Sequence, residues 1–308
     1  MGKEELQTFN PSASEYLAVG KNLAKAGFVH VKASRRLHKE GIPWYPSGSF
    51  LLPIISDLTE RTVPDTVLPL ITHLNHYMRQ TDDFFDERED FPSWSECKYG
   101  VQQTQSVLLH AISQSDIDPS KKRMIFHKIA GLRRDAYLSL QQKDRWKESP
   151  TFEEAYTHRV NTTGLFSRIV ADIWCIVTDT SKEKQAGAKD ALQRIGMTFQ
   201  YIDDLMDIRD DTDTDGNLVL ATLNENAEER QEVTQVLTDI KGKPRVLDLL
   251  TRFAPQSTNT LLRRMDEEAA SLRNISSSTE RTIRGTVKLI LPRIVISSDS
   301  FYRKIAVW

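Results

Sequence analysis

The stretch Gly196-Met197-Thr198-Phe199-Gln200-Tyr201-Ile202-Asp203-Asp204-Leu205-Met206-Asp207 decides how this chain is read. Leu192, Ile195, Phe199 and Met206 recur at helical steps and predict a helix over 188–210. On that helix Asp203, Asp204 and Asp207 project from one side, and Asp203 and Asp207 prolong the apolar stripe. The arrangement has an earlier counterpart. Val67, Ile71, Leu74 and Met78 predict a helix over 63–86, and Asp82 prolongs that stripe within Asp82-Asp83-Phe84-Phe85-Asp86. One acidic run is ordinarily a solvated helix end. Two runs that both continue a core-facing stripe are a different matter, because crowded unpaired carboxylates are costly to bury and repel one another. Divalent cations relieve both problems, and carboxylate oxygens suit Mg²⁺, which keeps waters and bridges to phosphates. The sequence therefore predicts two helices facing across a cavity. There Asp82, Asp83, Asp86, Asp203, Asp204 and Asp207 would hold Mg²⁺ that binds a diphosphate, with Asp82, Asp86 and Asp203 indispensable to catalysis.

The rest of the chain agrees with an all-α enzyme. Among 308 residues, 41 Lys and Arg stand against 43 Asp and Glu, and this near balance argues against a general nucleic-acid binder. With 39% hydrophobic residues the chain can build a sizeable core, and only 13 glycines disfavour phosphate-cradling loops and turn-rich β folds. Cys97 and Cys175 are too few and too far apart for a disulfide framework or a cysteine zinc site, which suggests a reducing compartment. The opening residues lack an apolar signal segment, and the run Phe50–Ile55 is far short of the roughly 18 residues of a membrane span. A cytoplasmic protein without stable membrane insertion is expected. Further helices are predicted at 15–39, 100–114, 119–140, 152–178, 226–241, 257–273 and 278–296. Polar breaks are read at 41–49, 115–120, 147–150 and 210–217. The expected organisation is a tail over 1–14 and a single all-α domain over 15–308. His73 and His76, three apart, are read as helix-surface or packing residues, and Lys121-Lys122-Arg123 as a solvated helix start.

Asp82-Asp83-Phe84-Phe85-Asp86 resembles the first aspartate-rich motif, DDxxD, of the trans-isoprenyl diphosphate synthases. Gly196 to Asp207 resembles their second motif, GxxFQxxDDxxD, and Thr163-Gly164-Leu165-Phe166 resembles the KTGxLF segment between them. Order and separation fit over roughly residues 20–300. The resemblance implies the all-α isoprenoid synthase bundle with a central active-site cavity. It also implies a prenyl diphosphate substrate, three Mg²⁺ ions per site and a homodimer.

The sequence departs from the chain-elongating members where they bind a second diphosphate. Their cation-rich GGKRxRP motif corresponds to Gly41–Ser49, which holds no Lys or Arg. Arg88 alone stands where an Arg pair follows the first motif, and Thr162 replaces the Lys of KTG. Arg159, one turn earlier, is a candidate to reach the diphosphate. Two trianions side by side need several cations. The sequence-level expectation is therefore a class I terpene synthase that ionises one prenyl diphosphate and cyclises or deprotonates the cation without consuming isopentenyl diphosphate. The alternative is a prenyltransferase of the same fold that elongates a chain or prenylates an aromatic acceptor such as an indole. Tyr77, Phe166 and Phe199 are candidates to stabilise a carbocation through their ring faces, and Thr163 and Gln200 to bind the diphosphate shell. Tyr302-Arg303-Lys304 is a candidate cap. By resemblance, Tyr77 and Met78, one turn before Asp82, form the pocket floor. A ring at Tyr77 limits depth, so C15 to C20 substrates are favoured over longer ones.

Overall fold

The structure is a computed structural model. It describes residues 10–38, 46–86, 94–143, 146, 149–211, 216–240 and 244–295, although the side chains of some helical residues, 79–86 among them, lie outside the description. No strand occurs among the described residues, only an isolated bridge between Arg245 and Val295. The expectation of an all-α chain is borne out.

The helices are α1 (Ala13–His38), α2 (Pro46–Thr59), α3 (Val67–Asp86), α4 (Trp94–Gln114), α5 (Pro119–Lys143), α6 (Phe152–Arg159) and α7 (Leu165–Val177). They continue with α8 (Lys182–Met206), α9 (Leu218–Asn224), α10 (Ala227–Asp239), α11 (Val246–Phe253), α12 (Pro255–Ser271) and α13 (Ser277–Ile290). A π-helical turn, Val160–Gly164, joins α6 to α7.

Sequence reading missed α2, α9 and α11. Helix α2 carries Pro53 in its interior, which removes one backbone hydrogen bond and reads as a break. Helices α9 and α11 are only 7 and 8 residues long, too short to show periodicity. The start of α6 is written locally. Thr151 accepts from the Glu154 amide while the Glu154 carboxylate accepts from the Thr151 amide, a reciprocal capping box. Phe152–Val177 as a whole is long and apolar enough to cross a membrane by length and composition, contrary to the expectation from uninterrupted apolar runs. Of its apolar window, 56% is buried inside the fold, as in a core helix.

The chain forms two compact units. One comprises 22–134 and 166–192. Its core gathers Leu52, Ile55, Leu68, Leu74, Leu108, Ile112 and Ile125, and α3 packs against α4. The fully buried Trp174 indole donates to the Thr59 hydroxyl at 2.9 Å, which satisfies its one polar atom. Buried Asp172 is paired with Lys128 and Lys189, so its charge is compensated.

The other unit comprises 1–21, 135–165 and 193–308. Tyr201, Leu205, Val219, Leu250, Leu261, Leu272 and Ile283 form its core. Glu15 at the start of α1 accepts from Lys288 of α13 at 3.0 and 3.1 Å, closing the first helix onto the last. The second aspartate run lies wholly in this unit.

Candidate active site

The last turns of α8 carry Gln200, Asp203 and Asp204, with Asp207 immediately beyond. They do not share one environment. Asp203 and Asp207 are half-buried, whereas Asp204 is 1% exposed. The stripe argument put Asp203 and Asp207 inward. In the structure the helix end buries Tyr201, Ile202, Asp204 and Leu205 together, and Asp204 is the carboxylate that enters the fold.

Protein donors occupy Asp204. Its Oδ1 accepts from Arg159 Nη2 at 3.1 Å and from Gln200 Nε2 at 2.7 Å, and its Oδ2 accepts from the Leu218 amide at 2.7 Å. Burial pushes its carboxyl above the usual range, a shift that Arg159 and the Leu218 and Gln200 donors partly offset. Asp204, which the sequence reading put among the metal ligands, tethers α8 to the N-terminus of α9. Arg159, expected to reach a diphosphate, is committed to the same tether: its Nε donates to the Gly216 carbonyl at 3.1 Å.

Asn217 completes the clasp. Its Oδ1 caps α9 by accepting from the Val219 and Leu220 amides at 2.8 and 3.0 Å. Its Nδ2 donates to the Asp204 carbonyl and to Asp211, both at 2.8 Å. Burial raises the Asp211 carboxyl to about 7, against the Asn217 hydrogen bond and with help from the nearby Asp204 charge. Gly216 adopts φ +71°, and a Cβ there would stand 3.1 Å from Trp146 and 3.2 Å from His158. Only glycine meets both conditions without strain. Sequence reading passed over Gly216 and Asn217. The Gly-Asn pair before an apolar run was the available signal.

Gln200 is oriented from the other side. Thr163 Oγ1 donates to Gln200 Oε1 at 2.6 Å, which turns the amide nitrogen toward Asp204 and, more distantly at 3.4 Å, toward Asp203. Thr163 belongs to the π-helical turn, a geometry often found at functional sites. The turn packs close to α8 because residue 164 is glycine: a Cβ there would lie 3.2 Å from Gln193. Asp203 and Asp207 thus stand four residues apart on the less buried side of the helix end, flanked by an oriented amide.

These two are hard oxygen donors that suit Mg²⁺. Among the described residues no group of three or more His, Cys, Asp or Glu converges as a metal centre. Asp82, Asp83 and Asp86 lie in the last turns of α3, with side chains outside the description, and the expected cavity-facing arrangement rests on them. Tyr77 is 2% exposed and Met78 half-buried in the unit that contains α3. Phe199 is buried and Phe166 half-buried. His73 and His76 are half-buried, and Lys121 pairs with Asp179 beside the start of α5. Residues 41–45, Arg88 and Tyr302-Arg303-Lys304 lie outside the described residues.

Residues 107–228, which include the π-helical turn and the second aspartate run, match the polyprenyl synthetase family. The fold is the all-α isoprenoid synthase fold. A geranylgeranyl pyrophosphate synthetase from Pyrococcus horikoshii superposes with a TM-score of 0.55 at 18% identity, over 94% of this chain and 98% of that one. A geranylgeranyl pyrophosphate synthetase from Geoglobus acetivorans gives 0.58 at 15% identity, over 92% and 99%. A heptaprenyl diphosphate synthase from Staphylococcus aureus gives 0.53 at 15% identity, over 87% and 98%. No curated protein sequence matches the chain. The resemblance drawn from the aspartate runs to the trans-isoprenyl diphosphate synthases is borne out.

Proposed function

We propose that the protein is a Mg²⁺-dependent prenyltransferase. It takes an allylic prenyl diphosphate and joins the prenyl group to an acceptor, either isopentenyl diphosphate or an aromatic ring. The observation that carries this reading is the build of the second aspartate run. Asp204 and Arg159 lock α8 to α9, Thr163 fixes the Gln200 amide, and Asp203 and Asp207 stand four residues apart, half-buried, at the helix end. The match to the polyprenyl synthetase family over this region supports it.

Asp203 and Asp207 would hold Mg²⁺, and Asp82, Asp83 and Asp86 would do the same on α3. When bound, Mg²⁺ supplies a Lewis acid for the departing diphosphate. The protein's part is to keep the carboxylates in place beforehand, because donors that need no rearrangement contribute most to stabilising developing charge. Gln200 holds Asp203 turned, and Asp204 positions the helix end without being a ligand. Phe166 and Phe199 are each a candidate to stabilise an allylic cation through the ring face, worth about 0.5–2 kcal/mol apiece. With Tyr77 as pocket floor the substrate is C15 to C20. A homodimer in the cytoplasm belongs to the same proposal.

The second reading is a terpene synthase. Gly41–Ser49 offers no cation to a second diphosphate, Thr162 stands where the family has Lys, and Arg159 is committed to Asp204 and Gly216. One experiment separates the two. The protein is incubated with C10, C15, C20 and C25 diphosphates plus Mg²⁺, with and without isopentenyl diphosphate or indole, and the products are read by mass spectrometry. Chains longer by five carbons, or a prenylated indole, are expected. An acceptor-independent hydrocarbon or alcohol would transfer the protein to the terpene synthases. No turnover of any diphosphate would end both readings.

A further inference from the structure

Helix α1 is apolar on two sides. One side, with Val19, Ala26, Val29 and Ala33, is buried in the fold. The other is open: Tyr16 is 52% exposed, Leu17 60%, Leu23 55%, Phe28 74% and Val31 48%. At 3.6 residues per turn these five fall within about 140° of the helix circumference. Gly20 and Gly27 lie in the same arc, and a Cβ at either would meet nothing within 4 Å. Five large apolar side chains exposed together reach the few hundred Å² at which a contiguous patch on a soluble protein marks a docking surface.

The charges on this helix point to one kind of occupant. Between Ala13 and His38 the sequence has Lys21, Lys25, Lys32, Arg35 and Arg36 against a single acid, Glu15. Glu15 is buried and paired with Lys288, so it contributes no negative charge to the open side. Lys21 and Lys25 follow the apolar arc around the helix and border it on one flank. Lys25 is bonded to Asp57 at 2.6 Å and is itself exposed. The whole chain is close to neutral, with a formal charge of −2, so the basic excess is particular to this helix. An apolar face with Phe, Tyr and Leu, on a helix with five basic residues and one buried acid, is the pattern of a helix that lies in the interface of an anionic bilayer; Asp57 beside Lys25 is the exposed acid at its border. A second copy of the same face would bring lysine borders together. We propose that α1 docks the protein peripherally on an anionic membrane surface. Leu17, Leu23, Phe28 and Val31 enter the headgroup boundary, and the lysines meet lipid phosphates and carboxylates.

The test uses the full chain. Flotation is measured with phosphatidylcholine vesicles and with vesicles containing about 30% phosphatidylserine, for the parent and for Leu23→Glu and Phe28→Glu. Both positions are exposed, and melting curves verify that the variants fold. The expected result is roughly tenfold more parent protein on the anionic vesicles than on neutral ones, a difference lost at high salt. Each variant should reduce binding to the anionic vesicles by roughly tenfold. Absence of binding by the parent, or binding unchanged in both variants, overturns the proposal. Light scattering covers the other occupant: a parental dimer that both variants dissociate, without vesicle binding, gives this face to a second copy and likewise overturns it. None of these readouts depends on the reaction catalysed.

Discussion

Replacing Asp204 by alanine should destabilise the protein more than replacing Asp203, its neighbour. Asp204 accepts from Arg159, Gln200 and the Leu218 amide, and it is 1% exposed. Its loss takes a carboxylate partner from the Arg159 guanidinium, only 17% exposed, and the acceptor from the Leu218 amide. Removing one partner of a buried ion pair costs about 3–5 kcal/mol. A 308-residue chain loses roughly 0.6 kcal/mol of stability per degree near its midpoint, so the midpoint should fall by roughly 5–8 °C. Asp203 is half-buried rather than buried, and its Gln200 contact is long at 3.4 Å, so Asp203→Ala should cost less than Asp204→Ala. Turnover should separate them in the opposite sense, Asp203→Ala losing orders of magnitude as a ligand of Mg²⁺. The double variant Arg159→Met with Asp204→Leu should regain much of the lost stability, because a hydrophobic replacement leaves no buried charge. Calorimetry in EDTA, paired with turnover in Mg²⁺, measures both effects. Asp204→Ala with an unchanged midpoint and abolished turnover would refute the clasp and return Asp204 to the metal ligands.

Three further outcomes are expected. Gly216→Ala should lower stability by about 1–3 kcal/mol, because a Cβ residue is held at φ +71° and pressed against Trp146 and His158; an unchanged denaturation midpoint would count against the packing described. Acid should destabilise the protein through Glu15, Glu229 and Glu280. Arg273 and Arg284 hold Glu280 below its ordinary 4.5 against the cost of burial. For Glu15 and Glu229 burial is the largest influence and opposes the shift, but hydrogen bonds from Ser12 and Lys288, and from Gln256 and Ser257, outweigh it. The unfolded chain therefore takes up protons first as pH falls. Their contribution is complete above about pH 4.5 and is lost below it, and Glu280→Gln should flatten the midpoint-versus-pH curve there. Tyr77→Ala, at a position 2% exposed, should cost about 3–5 kcal/mol and also raise relative turnover of C20 and C25 over C15 diphosphates. A stability loss with unaltered preference removes Tyr77 from the pocket.

The sequence by itself determined what is periodic or local. The stripes Val67-Ile71-Leu74 and Leu192-Ile195-Phe199 are buried on α3 and α8, as their spacing required, and Thr151 and Glu154 write the start of α6 within four residues. The residue types of the second motif, and the order of its neighbours, were enough to place the chain among the isoprenoid synthase folds. The tertiary structure decided the division of labour inside that motif. Asp203, Asp204 and Asp207 are chemically the same group, and their spacing puts all three on one side of a helix. Which of them is spent inside the fold depends on Arg159, 45 residues upstream, and on the α9 amide of Leu218, 14 residues downstream. The same holds for Arg159, whose charge looked available in the sequence until Asp204 and the Gly216 carbonyl were brought to it. Periodicity reports which face of a helix is apolar; it carries no information on which distant donor arrives at a buried oxygen, and that contact is what ties Asp204 into the fold.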